Sequence, residues 1–474
     1  MIFQYLKKNK YIFLLVFIFF LYFFLNSIHL LKYPPIWPDE AEYADIALNI
    51  LNTGKFKTTL HSVSIFPQNS IYTYPPLLMY IFAACFKLFG FSITVQRMAA
   101  VIFGATFLLF YYFFCLKILK NKLLAVAPIF LLVLDLTFMK AAKVSRPEIF
   151  IMAFTQIAFF LILNKEKISS YIIAGLFFGL SFIIQPYGVI GIIVTTIYLF
   201  LRYKLKSIKK LVIISIPVFI SIGWWFNKIS WQLDILRKGM KLQGLRKNLE
   251  PGYFSQLVTE PNRYMSLLNL TLLIGSFYVI TYILLNKKSQ HKIFILICLL
   301  TYWFFVFIGK QFWYYVYPIP FIYLGYFLII KERNDLWRNI AFFLIGLTML
   351  LNFRINITLY KRFWGDSYSY EKYAKSIVKN IPNNSSVFVS SIPDPFYILK
   401  KNESLKIITY PALPGGEKEY RQELKSSDYA VITGSLDYIY GNLMYNYLNK
   451  NYEIFYKINN GEDQYQGIIF KLKK

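Results

Sequence analysis

A succession of apolar segments, each near the ~20 residues that cross a hydrocarbon layer at about 1.5 Å per residue, runs from residue 11 to residue 357. Lipid offers the backbone no hydrogen-bond partner, so segments of this kind must be helices. About eleven spans are expected, near 11–31, 97–116, 123–139, 148–163, 168–184, 187–201, 211–226, 266–285, 293–309, 314–330 and 339–357. The charges between them support this count. Lys117, Lys120 and Lys122, then Lys165 and Lys167, then Arg202, Lys204, Lys206, Lys209 and Lys210 fall in alternate connections, followed by Lys287, Lys288 and Lys292 and by Lys331, Arg333 and Arg338. These are the positive-inside loops of a polytopic membrane protein, and the outer turn Gln185-Pro186-Tyr187-Gly188 has no such charge.

The first apolar run follows Lys7, Lys8 and Lys10. It is too long for a signal-peptide core and lacks a small-residue cleavage site, so it reads as an uncleaved span with a cytoplasmic N-terminus. With 57% hydrophobic and only 16% charged residues, lipid is the expected solvent, in the plasma membrane of what residue usage suggests is a bacterium. The net charge of +28 follows the positive-inside pattern of lysines between apolar segments better than it makes a basic groove, and no nucleic-acid partner is expected.

Pro76–Phe91 is apolar enough to suggest a further span, but counting it would put every later basic loop outside. It is expected at the outer interface, partly embedded. Beyond Lys361 the pattern changes to short β-rich runs (Ser386–Ser390, Leu405–Tyr410, Tyr429–Thr433, Gly467–Leu472) and helical stretches (Tyr370–Asn380, Lys418–Lys425). The expected organisation is a membrane region over 1–360, with outer loops at 32–96 and 227–265, and an extracytoplasmic α/β domain over 361–474. Cys85, Cys115 and Cys298 lie in apolar stretches and imply no disulfide framework. His29, His61 and His291 lie on separate elements, so no metal set is assembled and no cofactor is expected.

Polar residues suited to chemistry gather in the outer loops. After Tyr33-Pro-Pro-Ile-Trp37-Pro come Asp39, Glu40 and Glu42, and from Glu40 to Leu51 the residues Ala44, Ala47, Leu48 and Leu51 recur at helical spacing, with Gly54 as a stop. Asp39 then falls at or beside the helix N-cap. A carboxylate at the membrane surface, beside a second one and flanked by Trp37 and prolines, suits a general base acting on an amphiphilic substrate.

The run Pro-Asp39-Glu40-Ala-Glu42-Tyr43-Ala, then Thr53-Gly54, Tyr74-Pro75-Pro76-Leu-Leu and Leu88-Phe89-Gly90 resembles the start of the GT-C glycosyltransferase superfamily. That group includes protein O-mannosyltransferases and lipid A aminoarabinose transferases. Arg97, the turn Lys143-Val-Ser-Arg146-Pro147-Glu148, and Gly309-Lys310 followed by Tyr314-Tyr315-Val-Tyr-Pro318 are similar to later blocks of the same group. The resemblance covers about residues 10–330 and implies a GT-C type fold. It also implies transfer of a sugar from a polyprenyl-phosphate carrier to an acceptor hydroxyl outside the cytoplasm, with inversion at the anomeric carbon. It makes Asp39 the base, with Glu40 beside it, and Arg97, Lys143, Arg146 and Lys310 the cations at the departing phosphate. Tyr74, Glu148, Tyr314 and Tyr315 become substrate contacts, Tyr314 and Tyr315 being equally eligible. The partners implied are a lipid-linked sugar donor, the bilayer, and a lipid, glycan or protein acceptor. Some relatives bind divalent ions; none is expected here.

Tyr74 stands where many bacterial relatives carry Lys, and Gln185-Pro186 where they place Lys or His before Pro or Gly, so the acceptor class does not transfer. Two other classes stay open. A transporter or flippase of lipid-linked glycans would carry ionisable or broken-helix features at mid-membrane, for which Asp135 is the main candidate. An inactive family member would use its outer domain as a binding scaffold. The basic loop residues Arg237, Lys238, Lys241, Arg246 and Lys247 read as an interfacial helix.

Overall fold

The computed structural model describes residues 10–60, 74–164, 167–229, 252–260, 262–286, 289–333, 335–363, 370–390, 394–409, 421–422, 424–433, 441–458 and 467–473, with isolated positions between 233 and 244. His61, Lys238, Arg246, Lys247 and residues 418–420 lie outside them. The chain folds as two compact units, one of residues 1–28, 100–227 and 249–360, the other of residues 29–99, 228–248 and 361–474.

Among the described residues helix α1 (Lys10–Ser27) comes first, α2 (Pro38–Thr53) and α3 (Leu77–Phe89) follow, and the long α4 (Ile93–Leu119) comes next. In the first unit the chain continues through α5 (Lys122–Leu134), α6 (Leu136–Lys143), α7 (Pro147–Asn164), α8 (Ile168–Ile184), α9 (Val189–Tyr203) and α10 (Ser207–Lys228). Then come α11 (Tyr253–Thr259), α12 (Arg263–Leu285), α13 (Gln290–Gly309), α14 (Ile319–Glu332) and α15 (Leu336–Phe363). Every apolar segment expected as a span is helical over most of its length. Among the described residues six helices are long and apolar enough to cross a bilayer, or seven if the bent pair α5 and α6 counts as one.

Burial separates the spans. The α7 window is 78% buried and that of residues 313–332 is 83% buried, whereas only 33% of the α15 window is. α7 and α14 thus form the centre, and α15 presents Phe342, Phe343, Leu350 and Phe353 outward. Two pairs of polar side chains meet between neighbouring helices, where no lipid can supply a partner. Thr155 on α7 lies 3.0 Å from Ser181 on α8, and Trp303 Nε1 of α13 donates to Ser276 Oγ of α12 at 2.8 Å. α5 and α6 meet at a 70° bend. Asp135 sits at the break: its carboxylate accepts from Phe138 N (2.9 Å), capping α6, and from Tyr323 Oη (2.7 Å), while Asn352 Oδ1 takes the Leu136 N–H (2.8 Å).

In the second unit α3 has 13 residues, about 20 Å of helix, too short to cross a bilayer. The C-terminal residues form α16 (Tyr370–Asn380), α17 (Phe396–Leu399), α18 (Gly441–Asn451) and strands β1 (Ser386–Ser390), β2 (Lys406–Thr409), β3 (Tyr429–Thr433), β4 (Tyr452–Ile458) and β5 (Gly467–Leu472). The strand order is β2-β1-β3-β5-β4. β1 runs parallel to β2 and β3, with Val387 opposite Ile407 and Tyr429, while β5 runs antiparallel to β3 and β4. Phe388, Ile408, Leu424, Ala430, Ile432, Leu448, Tyr452 and Phe470 form its core. The edge strand β4 was not among the expected runs.

Candidate active site

In the second unit the Asp39 turn is built by its neighbours. Trp37 is the N-cap, Pro38 occupies the first helical position, where a missing N–H costs nothing, and Gly54 ends α2 with a left-handed φ of 69°. Asp39 is therefore inside the first turn and partly exposed. Glu40, one residue on, is fully buried, and its Oε2 accepts the Trp37 N–H at 3.0 Å.

Arg97, in the first turns of α4, is fully buried against Glu40. Its Nε donates to Glu40 Oε1 at 2.9 Å and its Nη2 to Glu40 Oε2 at 2.6 Å. The remaining donors go to the carbonyls of Leu30 (2.6 Å), Pro34 (2.8 Å) and Pro35 (3.2 Å). A guanidinium has five N–H groups, and these five acceptors match all of them. The geometry is that of a clamp gathering residues 30–40 onto α4. Arg97, expected at the departing phosphate, and Glu40, expected beside the base, are both engaged here within residues 30–40 and α4. Both are held within the fold, because the prolines of 34–38 leave carbonyls that need donors.

The rest of α2 is pinned by Asp45, whose buried carboxylate accepts from Thr58 Oγ1 (2.8 Å), Thr59 N (2.6 Å) and Thr59 Oγ1 (2.7 Å). Tyr74 meets Tyr43 edge to face, with ring centroids 5.3 Å apart. The C-terminal residues of the same unit reach this region. Tyr397 Oη lies 2.6 Å from Gln96 Oε1 and 2.9 Å from the Glu40 carbonyl, and the Asp394 N–H donates to Ile36 O at 3.0 Å. Burial, with Glu42 and Glu40 nearby, raises the Asp394 carboxyl from 3.8 to about 7, against the lowering effect of the Phe396 N–H. Burial likewise holds the Tyr397 phenol well above its ordinary value.

In the first unit the other expected residues form a second group. Arg146 and Glu148, both buried, face each other at 3.3–3.4 Å, and the Arg146 guanidinium lies 4.5 Å over the Trp313 ring. Lys143 Nζ donates to Ile28 O at 3.0 Å and lies 5.9 Å from the Tyr360 ring. Lys310 follows α13 in a left-handed conformation (φ 53°), is partly exposed, and its carbonyl accepts from Gln256 Nε2. The two tyrosines left equivalent by sequence differ. Tyr314 stacks on Tyr187 at 4.2 Å, whereas Tyr315 donates to Gln256 Oε1 at 2.9 Å and packs on Tyr253.

Tyr187, Trp313, Gln96 and Tyr397 were not among the expected site residues. Only Tyr187 carried a signal, as an aromatic in a charge-free turn. Among the described residues no group of three or more His, Cys, Asp or Glu side chains could hold a metal ion.

Known proteins share this architecture. Residues 73–225 match the model of the dolichyl-phosphate-mannose-protein mannosyltransferase family. An uncharacterized protein of Aquifex aeolicus is 25% identical over 227 residues, 46% of this chain and 43% of that one, so the match spans less than half of that relative's length. Among solved structures, ArnT of Cupriavidus metallidurans bound to undecaprenyl phosphate aligns with a TM-score of 0.63 at 12% identity, over 97% of each chain. The archaeal oligosaccharyltransferase AglB of Archaeoglobus fulgidus, in complex with an inhibitory peptide and a dolichol-phosphate, aligns with a TM-score of 0.54 at 13% identity. That alignment covers 90% of this chain and 69% of AglB. The chain is thus an integral, multi-pass membrane protein with a C-terminal sheet domain, and its fold is of the GT-C type, similar to those of ArnT and AglB.

Proposed function

We propose that the protein is a membrane glycosyltransferase that moves a sugar from a polyprenyl-phosphate carrier to an acceptor hydroxyl on the non-cytoplasmic side, with inversion. In this reading the N-terminus is cytoplasmic and the C-terminal domain extracytoplasmic. Asp39 takes the proton of the acceptor hydroxyl, whose oxygen attacks the anomeric carbon as the lipid phosphate leaves. The observation that carries the assignment is the division of labour between adjacent carboxylates. Glu40 is consumed by Arg97 and the Trp37 N–H, whereas Asp39 is the partly exposed acid of that turn.

Positive charge for the departing phosphate is assigned to Arg146, Lys143 and Lys310. Of these, Arg146 is oriented by Glu148 and supported by Trp313. Arg97 is reassigned to holding the loop, since its donors are matched within it. Tyr187 and Tyr314 form a stacked aromatic surface suited to a sugar face. Tyr315 is tied to Gln256 and takes no assigned substrate role.

The bend at Asp135 is the observation that favours a transporter, since broken helices line many transport paths. Its carboxylate oxygens, however, cap α6 and hold Tyr323, which accounts for an acid at that position. The discriminating experiment supplies purified protein in proteoliposomes with a panel of polyprenyl-phosphate sugars and native membrane extract. Covalent transfer of label to an acceptor supports the enzyme. Movement of an intact lipid-linked sugar between leaflets, without transfer, would favour the transporter.

A further inference from the structure

We propose that residues Asp394–Lys400 of the C-terminal domain are a positioning element for α2, with Tyr397 setting the pose of the turn that carries Asp39. The observations lie within one unit. The Asp394 N–H donates to Ile36 O (3.0 Å), three residues before Asp39, and fixes the chain entering the helix. Tyr397, fully buried, brings its hydroxyl to the Glu40 carbonyl (2.9 Å), one residue after Asp39, and to Gln96 Oε1 (2.6 Å). Gln96 Nε2 in turn donates to the same Glu40 carbonyl at 3.1 Å. Lys400 Nζ stands 3.8 Å from Asp45 Oδ1, farther along the helix. Beneath these contacts the Phe91 ring stacks on Tyr397 (5.6 Å) and meets Phe396 edge to face (6.1 Å). Asp394 is itself held, since its carbonyl accepts from Tyr370 of α16 and its Oδ1 from the Phe396 N–H.

The sheet domain therefore grips both flanks of the Asp39 turn through backbone groups, which fixes position without lending a reactive side chain. A base must lie within hydrogen-bond reach of the proton it takes, and small displacements lower the rate steeply. The catalytic consequence rests on Asp39 being the base; the positioning itself does not.

The test uses full-length protein in nanodiscs, comparing wild type with Tyr397→Phe, which keeps the ring and removes the hydroxyl. Hydrogen exchange of peptides covering 38–53 is expected to quicken about five- to tenfold, the effect of one buried hydrogen bond, with the 429–433 strand unchanged. Unchanged exchange over 38–53, or equal loosening of both regions, overturns the positioning. With a working transfer assay, kcat should fall about tenfold while the donor KM stays within about twofold. A normal kcat, or a defect confined to KM, overturns the catalytic consequence.

Combining Tyr397→Phe with Gln96→Met should be markedly non-additive, because both remove the same contact; additive effects count against it. If Tyr397→Phe does not accumulate, Lys400→Met, at a residue about one-third exposed, puts the same question to the Asp45 contact. If wild type transfers no sugar at all, the function reading fails, and the exchange measurement still decides whether Tyr397 positions the turn.

Discussion

Asp39 and Glu40 are neighbours in sequence, Asp39 partly exposed and Glu40 fully buried in an ion pair with Arg97. Removing one partner of a buried, hydrogen-bonded ion pair leaves the other charge without compensation, at a cost of about 3–5 kcal/mol. Arg97→Met is therefore expected to lower unfolding stability by that order, measured by thermal denaturation in detergent, with the double variant Arg97→Met/Glu40→Leu recovering part of the loss. Asp394 sets a pH dependence. Its folded pKa of about 7 lies above the ordinary value of 3.8, so between these values the folded protein binds more protons than the unfolded chain. Its contribution is then most favourable below about pH 4 and is lost as pH rises to about 7. Asp394→Asn, which keeps an acceptor for the Phe396 N–H, should flatten the melting temperature over that window; an unchanged slope would refute this assignment. None of this was legible in the sequence. The charges at positions 40, 97 and 394 are visible there, but their pairing across long stretches of chain is not.

At the scale of elements the sequence was more informative. Long apolar runs bounded by lysines became helices, because a continuous apolar run of about 20 residues can satisfy its backbone in hydrocarbon within itself only as a helix, and Gly54 ended α2 where expected. The helix began earlier than its apolar periodicity indicated, since Pro38 is itself a good first residue. β4 escaped notice because α18 ends at Asn451 and the strand starts at Tyr452, with no Gly or Pro between them. Five consecutive exposed positions also hide its alternation. Close helix packing gives a prediction of its own. A Cβ added at Gly104 of α4 would lie 2.1 Å from Tyr22 Oη of α1, a hydroxyl that already donates to Val101 O. Gly104→Ala is expected to cost about 1–3 kcal/mol, and Tyr22→Phe should relieve part of it in the double variant. Additive losses in thermal denaturation would show that the tyrosine is not what the new methyl meets.

For the whole molecule, the membrane character follows from the apolar and charge pattern, and the GT-C type fold that the family resemblance implied is matched by the structural likeness to ArnT and AglB. Which side chains act on a substrate is a finer question. Arg146 and Arg97 separate on substitution: Arg146→Lys, which keeps a cation beside Glu148 but loses the planar fork, should raise the donor KM about tenfold or more with little loss of folded protein, whereas Arg97 substitutions should act through stability. Sugar-transfer kinetics alongside melting curves distinguish the two. The most direct test of the whole reading compares transfer rate per folded molecule in Asp39→Asn and Glu40→Gln. Loss of about 10²–10⁴-fold in well-folded Asp39→Asn, with Glu40→Gln failing mainly in yield or melting temperature, is the expected result. Full activity in Asp39→Asn, or a stable but inactive Glu40→Gln, would contradict it and move the base from Asp39 to Glu40 or elsewhere.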